Sequence, residues 1–109
     1  MIEVILNRAD NEIRSFSVKG HAGDLEAGEN IYCAGVSAIT QTALLGLIKH
    51  LTPEVIYEIS DGWISCELPD GLDEREQEKA QVILTTMEAG LLAMQEVYSE
   101  FLNVVIRRS

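Results

Sequence analysis

Asp61-Gly62 separates two runs of alternating apolar residues, Val55 to Ser60 and Trp63 to Leu68. An Asp-Gly pair between such runs predicts a two-residue β-hairpin. That register pairs Ile59 with Ile64, Tyr57 with Cys66 and Val55 with Leu68, and it puts all six side chains on one face. A hairpin with one apolar face has to be covered by another layer. The rest of the chain supplies both the strands to extend it and the helices to cover it.

Upstream, Ile2, Val4 and Leu6 alternate in a strand from Met1 to Asn7, and Asp10-Asn11 reads as a turn into a second strand over Glu12 to Lys19. After a polar, glycine-containing loop, Val36, Ile39, Ala43 and Leu47 recur at helical spacing between Ile31 and Leu51, with Leu44, Ile48 and Leu51 widening the stripe. The first half of this helix carries no charge, which predicts burial on most sides. Lys49 and His50 suit its C-terminal dipole, and Pro53 ends it. Beyond the hairpin, Asp70-Gly71 marks a turn, and Asp73 with Glu76 has the spacing of a capping box. A long helix follows to Tyr98, its apolar stripe made by Ala80, Ile83, Met87, Leu91 and Met94, read as core packing. Leu102, Val104 and Ile106 alternate in a last strand that ends at Arg107-Arg108. The predicted fold is therefore α+β, an antiparallel sheet with two main helices in the order β-β-α-β-β-α-β. At 109 residues without an internal linker, positions 1–109 form a single domain.

Eighteen acidic residues against eight basic ones give a net charge of −10. Phosphate binding needs a basic face, so the balance argues against nucleic acid as a direct partner, and equally against an anionic membrane surface. It suits a basic partner. The chain opens directly on a strand-like run, and its apolar segments read as shorter than the roughly 20 residues of a membrane helix. A soluble, cytoplasmic protein is expected. Cys33 and Cys66 fit that compartment better than a disulfide framework, and neither belongs to a metal-ligand pattern, so neither a metal nor a cofactor is expected. Cys66 reads as a small core residue of the hairpin.

Cys33 falls in the predicted first turn of the first helix. Amides there lack intrahelical partners and carry a partial positive charge, which favours thiolate over thiol. The backbone N–H groups of Cys33 and Ala34 are candidate oxyanion donors. A thiolate nucleophile needs a base. Of the two histidines, His50 lies about four to five helical turns beyond Cys33, whereas His21 ends the second strand and opens the loop that leads to the helix. Gly20, Gly23 and Gly28 around and within that loop permit backbone angles that other residues resist, and Gly20, Ala22, Gly23 and Gly28 are candidate substrate-loop residues. Asn30 can orient an imidazole or cap the helix. Ser37 lies one turn after Cys33 on the same side, where it can hydrogen-bond near the thiol or simply permit close packing. By spacing alone, the pair stays open between a catalytic dyad and a buried cysteine beside a loop histidine satisfied by backbone.

The segments Gly20-His21-Ala22-Gly23 and Gly28-Glu29-Asn30-Ile31-Tyr32-Cys33-Ala34-Gly35-Val36-Ser37-Ala38 resemble the signature of the ribosomal-processing cysteine protease family, Prp, and the Asp-Gly hairpin and the late helix fit the same family. The resemblance implies a cytoplasmic, homodimeric cysteine endopeptidase that removes a short N-terminal extension from large-subunit ribosomal protein twenty-seven, a basic substrate. It implies Cys33 as nucleophile, His21 as base, a supporting Ser37, and a mobile loop over Ala22 to Tyr32. It also marks a departure: relatives commonly hold Asp where this chain has Asn30, which removes a charge beside the site. Two other readings of the residues are a non-enzymatic acidic adaptor in ribosome assembly and a redox sensor at Cys33. The second lacks a resolving cysteine nearby in sequence.

Overall fold

The computed structural model describes the backbone of residues 1–20 and 27–109 and the side chains of 1–20 and 31–109. Among the described residues the order is β1 (Ile2–Ala9), β2 (Glu12–Lys19), α1 (Ala27–His50), β3 (Ile56–Ser60), β4 (Trp63–Glu67), α2 (Glu74–Val97) and β5 (Leu102–Arg108). This is the α+β arrangement expected from the sequence.

The strands form one sheet in the order β3-β4-β2-β1-β5. β1/β2, β2/β4 and β3/β4 are antiparallel, but β1 and β5 run parallel in the register Ile2↔Leu102 to Arg8↔Arg108. The sheet is therefore mixed, which corrects the all-antiparallel expectation. The cause is α2. A helical crossover returns the chain to the end of the sheet where the previous strand began, so β5 enters parallel to β4, and β4 already runs parallel to β1.

Local chemistry sets the turns and the register. Asp10 and Asn11 both take left-handed φ, 54° and 64°, the pattern of the tight β1–β2 turn. In the second hairpin only Gly62 does so, at 72°. That hairpin holds the predicted pairs Tyr57↔Cys66 and Ile59↔Ile64. A bulge interrupts β1/β2 where Asn7 faces Ser15 but Arg8 faces Ile13, leaving Arg14 as the extra residue. Both Ile13 and Phe16 therefore point inward although they stand three apart. Gln81 of α2 grips this irregularity: its Oε1 accepts from Ile13 N and its Nε2 donates to Ile13 O, both at 2.8 Å.

Both helices contribute to a single core. Ile2, Val4, Leu6, Ile13, Phe16, Val18, Ile64, Cys66 and Leu102 from the sheet meet Val36, Ala43, Leu44 and Leu47 from α1 and Ala80, Leu84, Met87 and Leu91 from α2. Asp73 caps α2 as predicted, its Oδ1 accepting from Glu76 N at 2.8 Å while Glu76 Oε1 accepts from Asp73 N at 3.5 Å. Ile83 and Met94, expected in the stripe, are only half-buried.

Three further expectations are corrected. α1 begins at Ala27, four residues before Ile31, so Gly28 lies in the helix and Tyr32 does not end a loop. α1 is not buried on most sides: Ile31 and Leu45 are 70% and 65% exposed, and Ile48 is exposed too. Its segment Ile31–His50, 20 residues of mean hydropathy 1.6, is by length and composition long enough to cross a membrane, contrary to the segment lengths read from sequence. It is also only 28% buried. Finally, Tyr57 and Ile59 pair as expected but stay 52% and 49% exposed, because β3 is the edge strand and the helical layer does not reach over it.

Candidate active site

The uncovered inner face of β3 leaves a groove between the second hairpin and α1. It has a volume of about 530 Å³. Ile59, Trp63 and Ile64 form one wall, and Val36 with Ile2 and Val18 forms the apolar floor. Cys33, Ala34, Ser37 and Gln41 line it from α1, one or two helical turns apart. Ser60, Asp61 and Gly62 close it from the hairpin turn.

Gly20 lines the same groove. Its N–H donates to Gly62 O at 3.2 Å, tying the exit of β2 to the hairpin turn. The reason for glycine here differs from the one read in the sequence. Gly20 does not take a left-handed φ. A Cβ at this position would instead come within 3.0 Å of Ile2 Cα, so the close approach of the first two strands requires the bare backbone.

Cys33 is half-buried and held by its neighbour in sequence. The Tyr32 ring stacks on Phe101 at 4.5 Å between centroids and meets Tyr98 at 4.6 Å, which fixes this part of α1 against the α2–β5 connection. Gly35 lets α1 lie close to Met94, whose Cε would be 3.1 Å from a Cβ there. Because α1 starts at Ala27, Cys33 lies in its second turn. The amides of Cys33 and Ala34 are therefore inside the helix, where each bonds to the carbonyl four residues back, and not among the unsatisfied first-turn donors. This corrects their assignment as oxyanion donors and weakens the helix-start reason for a thiolate.

Ser37 is half-buried on the groove side, where its Oγ accepts from Gln41 Nε2 at 2.9 Å. His21, Ala22 and Gly23 lie outside the described residues, as does the side chain of Asn30. Gly20 carries the chain from the groove wall into His21. Cys33 and Cys66 form no disulfide. Cys66 is buried beneath the sheet, and burial, then the Glu67 charge, pushes its thiol up to about 12. Among the described residues, no group of three or more His, Cys, Asp or Glu side chains is placed to hold a metal ion.

Sequence reasoning took Ile59, Ile64 and Trp63 as hairpin residues and missed that they wall a groove. The edge position of β3 decides this, and it follows only once the strand order is known. Gln41 gave no signal beyond its spacing of four from Ser37.

A groove with a cysteine on its helical wall, beside an edge strand, suits a hydrolase that works through a thiol. The family model for cysteine protease Prp matches residues 1–103, and the chain belongs to that family. It is 32% identical over 107 residues to the ribosomal processing cysteine protease Prp of Bacillus subtilis (strain 168), covering 95% of this chain and 96% of that one. Among solved structures it is similar to the essential ribosomal processing protease Prp of S. aureus in complex with a substrate peptide, with a TM-score of 0.85, 25% identity, and coverage of 98% of this chain and 100% of the other. The same S. aureus protease with a covalently linked product peptide matches with a TM-score of 0.78 and 27% identity over the same shares.

Proposed function

We propose that this cysteine protease cleaves its substrate through Cys33 Sγ, with His21 as base, and that the substrate is the N-terminal extension of large-subunit ribosomal protein twenty-seven. The observation that carries the reading is the groove itself. It exposes Cys33 on one side, and Gly20 on its wall leads directly into His21. The covalently linked product peptide of the S. aureus relative supports a covalent route.

The thiolate attacks the scissile carbonyl carbon, forming the C–S bond. The C–N bond then breaks, and the imidazolium of His21 gives its proton to the departing amine. Water next attacks the thioester and loses a proton to His21. The C–S bond breaks, the carboxylate product leaves and the thiol is restored. Asp61 at the groove rim and the net charge of −10 favour a basic polypeptide. The enzyme acts in the cytoplasm, with no membrane or direct nucleic-acid partner, and as a homodimer. α1 from Ile31 to Ile48 and α2 from Gln81 to Met87 carry no charged side chain, and with Leu45, Ile48 and Val82 exposed they form the surface a second copy of so acidic a chain meets without repulsion.

The test is cleavage of a synthetic peptide spanning the extension. The wild-type protein cuts it at one position, and Cys33→Ala and His21→Ala each lose on the order of 10³-fold or more. Equal cutting by Cys33→Ala overturns the assignment. A monodisperse monomer at micromolar concentration in light scattering overturns the dimer.

A further inference from the structure

We propose that the free edge of β3 is a strand-addition site, which holds an extended stretch of the substrate polypeptide, alternating apolar and basic residues, alongside the groove. The inference deepens the reading of this chain as a protease of a basic polypeptide and rests on it. β3 stands at one end of the order β3-β4-β2-β1-β5. One of its sides pairs with β4, and the other has no strand beside it among the described residues.

The direction of its backbone groups follows from the neighbouring bonds. Gly20 N donates to Gly62 O and Leu68 N donates to Arg14 O, so along β4 the even-numbered residues turn their peptide groups toward β2. The odd-numbered ones, Trp63, Ser65 and Glu67, then bond to their partners Ser60, Glu58 and Ile56. That leaves the N–H and C=O groups of Tyr57 and Ile59 directed out of the sheet edge. The side chains of the same two residues lie on the inner face and are half exposed, and Ile59 walls the groove. A strand added here bonds to Tyr57 and Ile59 and lays every second side chain on the inner face, continuous with the groove that holds Cys33.

Natural sheets blunt such edges with lysine, proline, bulges or a covering element. β5, at the other end of the sheet, is blunted: Gln95 of α2 accepts from the Val104 amide, and the strand ends in Arg107-Arg108. β3 has no lysine, proline or bulge, and all five of its residues are exposed. It carries negative charge instead. From Leu51 to Glu74 the chain has seven acidic residues and no basic one. A second copy of β3 brings this charge against itself and is repelled. A lysine or arginine placed beside Glu58, on the outer face, is matched. The residues on either side of it share the face of Tyr57 and Ile59 and are apolar. The occupant is thus an extended segment that alternates apolar and basic residues, the complement of this edge in both shape and charge.

The experiment reads backbone amides and not cleavage. Hydrogen exchange of the ¹⁵N-labelled Cys33→Ala protein is followed by NMR with and without two probes. One is the synthetic extension peptide; the other is a blocked peptide of about eight alternating leucines and lysines, long enough to span the edge. In the free protein the amides of Tyr57 and Ile59 exchange fast, and those of Glu58 and Ser60 slowly. At saturation each probe slows Tyr57 and Ile59 about tenfold or more. Tyr57→Pro removes the outward N–H but no bond to β4, and Tyr57→Ala removes only the ring. The proline variant binds the leucine–lysine peptide about fivefold more weakly than the alanine variant in fluorescence anisotropy. Glu58→Lys also weakens that binding about fivefold, and it strengthens binding of the leucine–glutamate counterpart. Glu58→Lys carries the test if Tyr57→Pro unfolds. The proposal is overturned if neither probe binds, or if the probes bind without slowing Tyr57 and Ile59. It is equally overturned if the proline and alanine variants bind alike, or if concentrated protein alone protects the two amides, which is pairing between copies. Protection by the leucine–lysine peptide, with the extension peptide neither bound nor cut by the wild-type protein, supports the edge site and overturns the choice of substrate.

Discussion

Treating the folded protein with iodoacetamide at neutral pH should modify one cysteine per chain, and the difference between the two can be worked from their surroundings. The thiolate is the reacting species. Cys66 is 3% exposed, and its thiol is pushed up to about 12, first by burial and then by the neighbouring Glu67 charge. At pH 7 about one Cys66 in 10⁵ is then ionised, against about one in 10² for a thiol at 9.0, a thousandfold deficit before any steric exclusion. Cys66 therefore reacts only through opening of the fold. For a domain stable by about 5 kcal/mol, that route is slower than reaction of the unfolded chain by roughly four orders of magnitude. Cys33 is only half-buried on the groove wall, so reagent reaches it without opening of the fold. Intact-mass spectrometry over time should show one carbamidomethyl group added quickly and a second only in denaturing urea, with peptide mapping placing the first on Cys33. Cys66→Ala should leave the fast phase unchanged, and Cys33→Ala should remove it. Modification of Cys66 in the native protein within tenfold of the Cys33 rate would refute the buried-core account, and with it the exclusive claim of Cys33 on the chemistry.

The raised thiol has a thermodynamic counterpart. Because the folded state holds Cys66 neutral up to about 12 while the unfolded chain ionises it from 9.0, its contribution to stability is complete below pH 9 and is lost as pH rises toward 12, at about 1.4 kcal/mol per unit. Urea unfolding at pH 8, 9 and 10 should show this slope in the wild-type protein and not in Cys66→Ala. Arg8 donates to Glu88 Oε1 at 2.7 Å, and both side chains are largely buried. Arg8→Met leaves that carboxylate without its cation and should cost about 2–3 kcal/mol in urea unfolding, with much of the loss recovered by adding Glu88→Leu. Gln81→Leu removes both bonds to the Ile13 backbone at the bulge and should cost about 2 kcal/mol in the same assay.

What the sequence disclosed, and what it withheld, follows the range of the interactions. The hairpin register at Tyr57↔Cys66 and Ile59↔Ile64 was legible because Asp61-Gly62 settles it within two residues. The capping box at Asp73 and Glu76 was legible for the same reason. The parallel β1/β5 pair was not, because residues 2 and 102 meet only through the α2 crossover. Nor was the exposure of Ile59, whose alternation reads as burial until β3 is found at the edge of the sheet. Ala27-Gly28-Glu29-Asn30 offers no apolar periodicity, so in sequence the first turn of α1 is indistinguishable from loop.

That misplaced boundary matters most for the site. Read from Ile31, the helix supplies Cys33 with an unsatisfied amide and a positive end. Read from Ala27, it supplies neither at the position of the sulfur. Cys33, Gly20 and Ser37 are still brought to one groove, as the motif spacing suggested. In a groove walled by isoleucines and faced by Asp61, the proposed activation of the thiol then rests on His21, the residue that follows Gly20. Iodoacetamide alkylation of Cys33 at neutral pH should therefore be slower in His21→Ala than in the wild-type protein, even though α1 is unchanged.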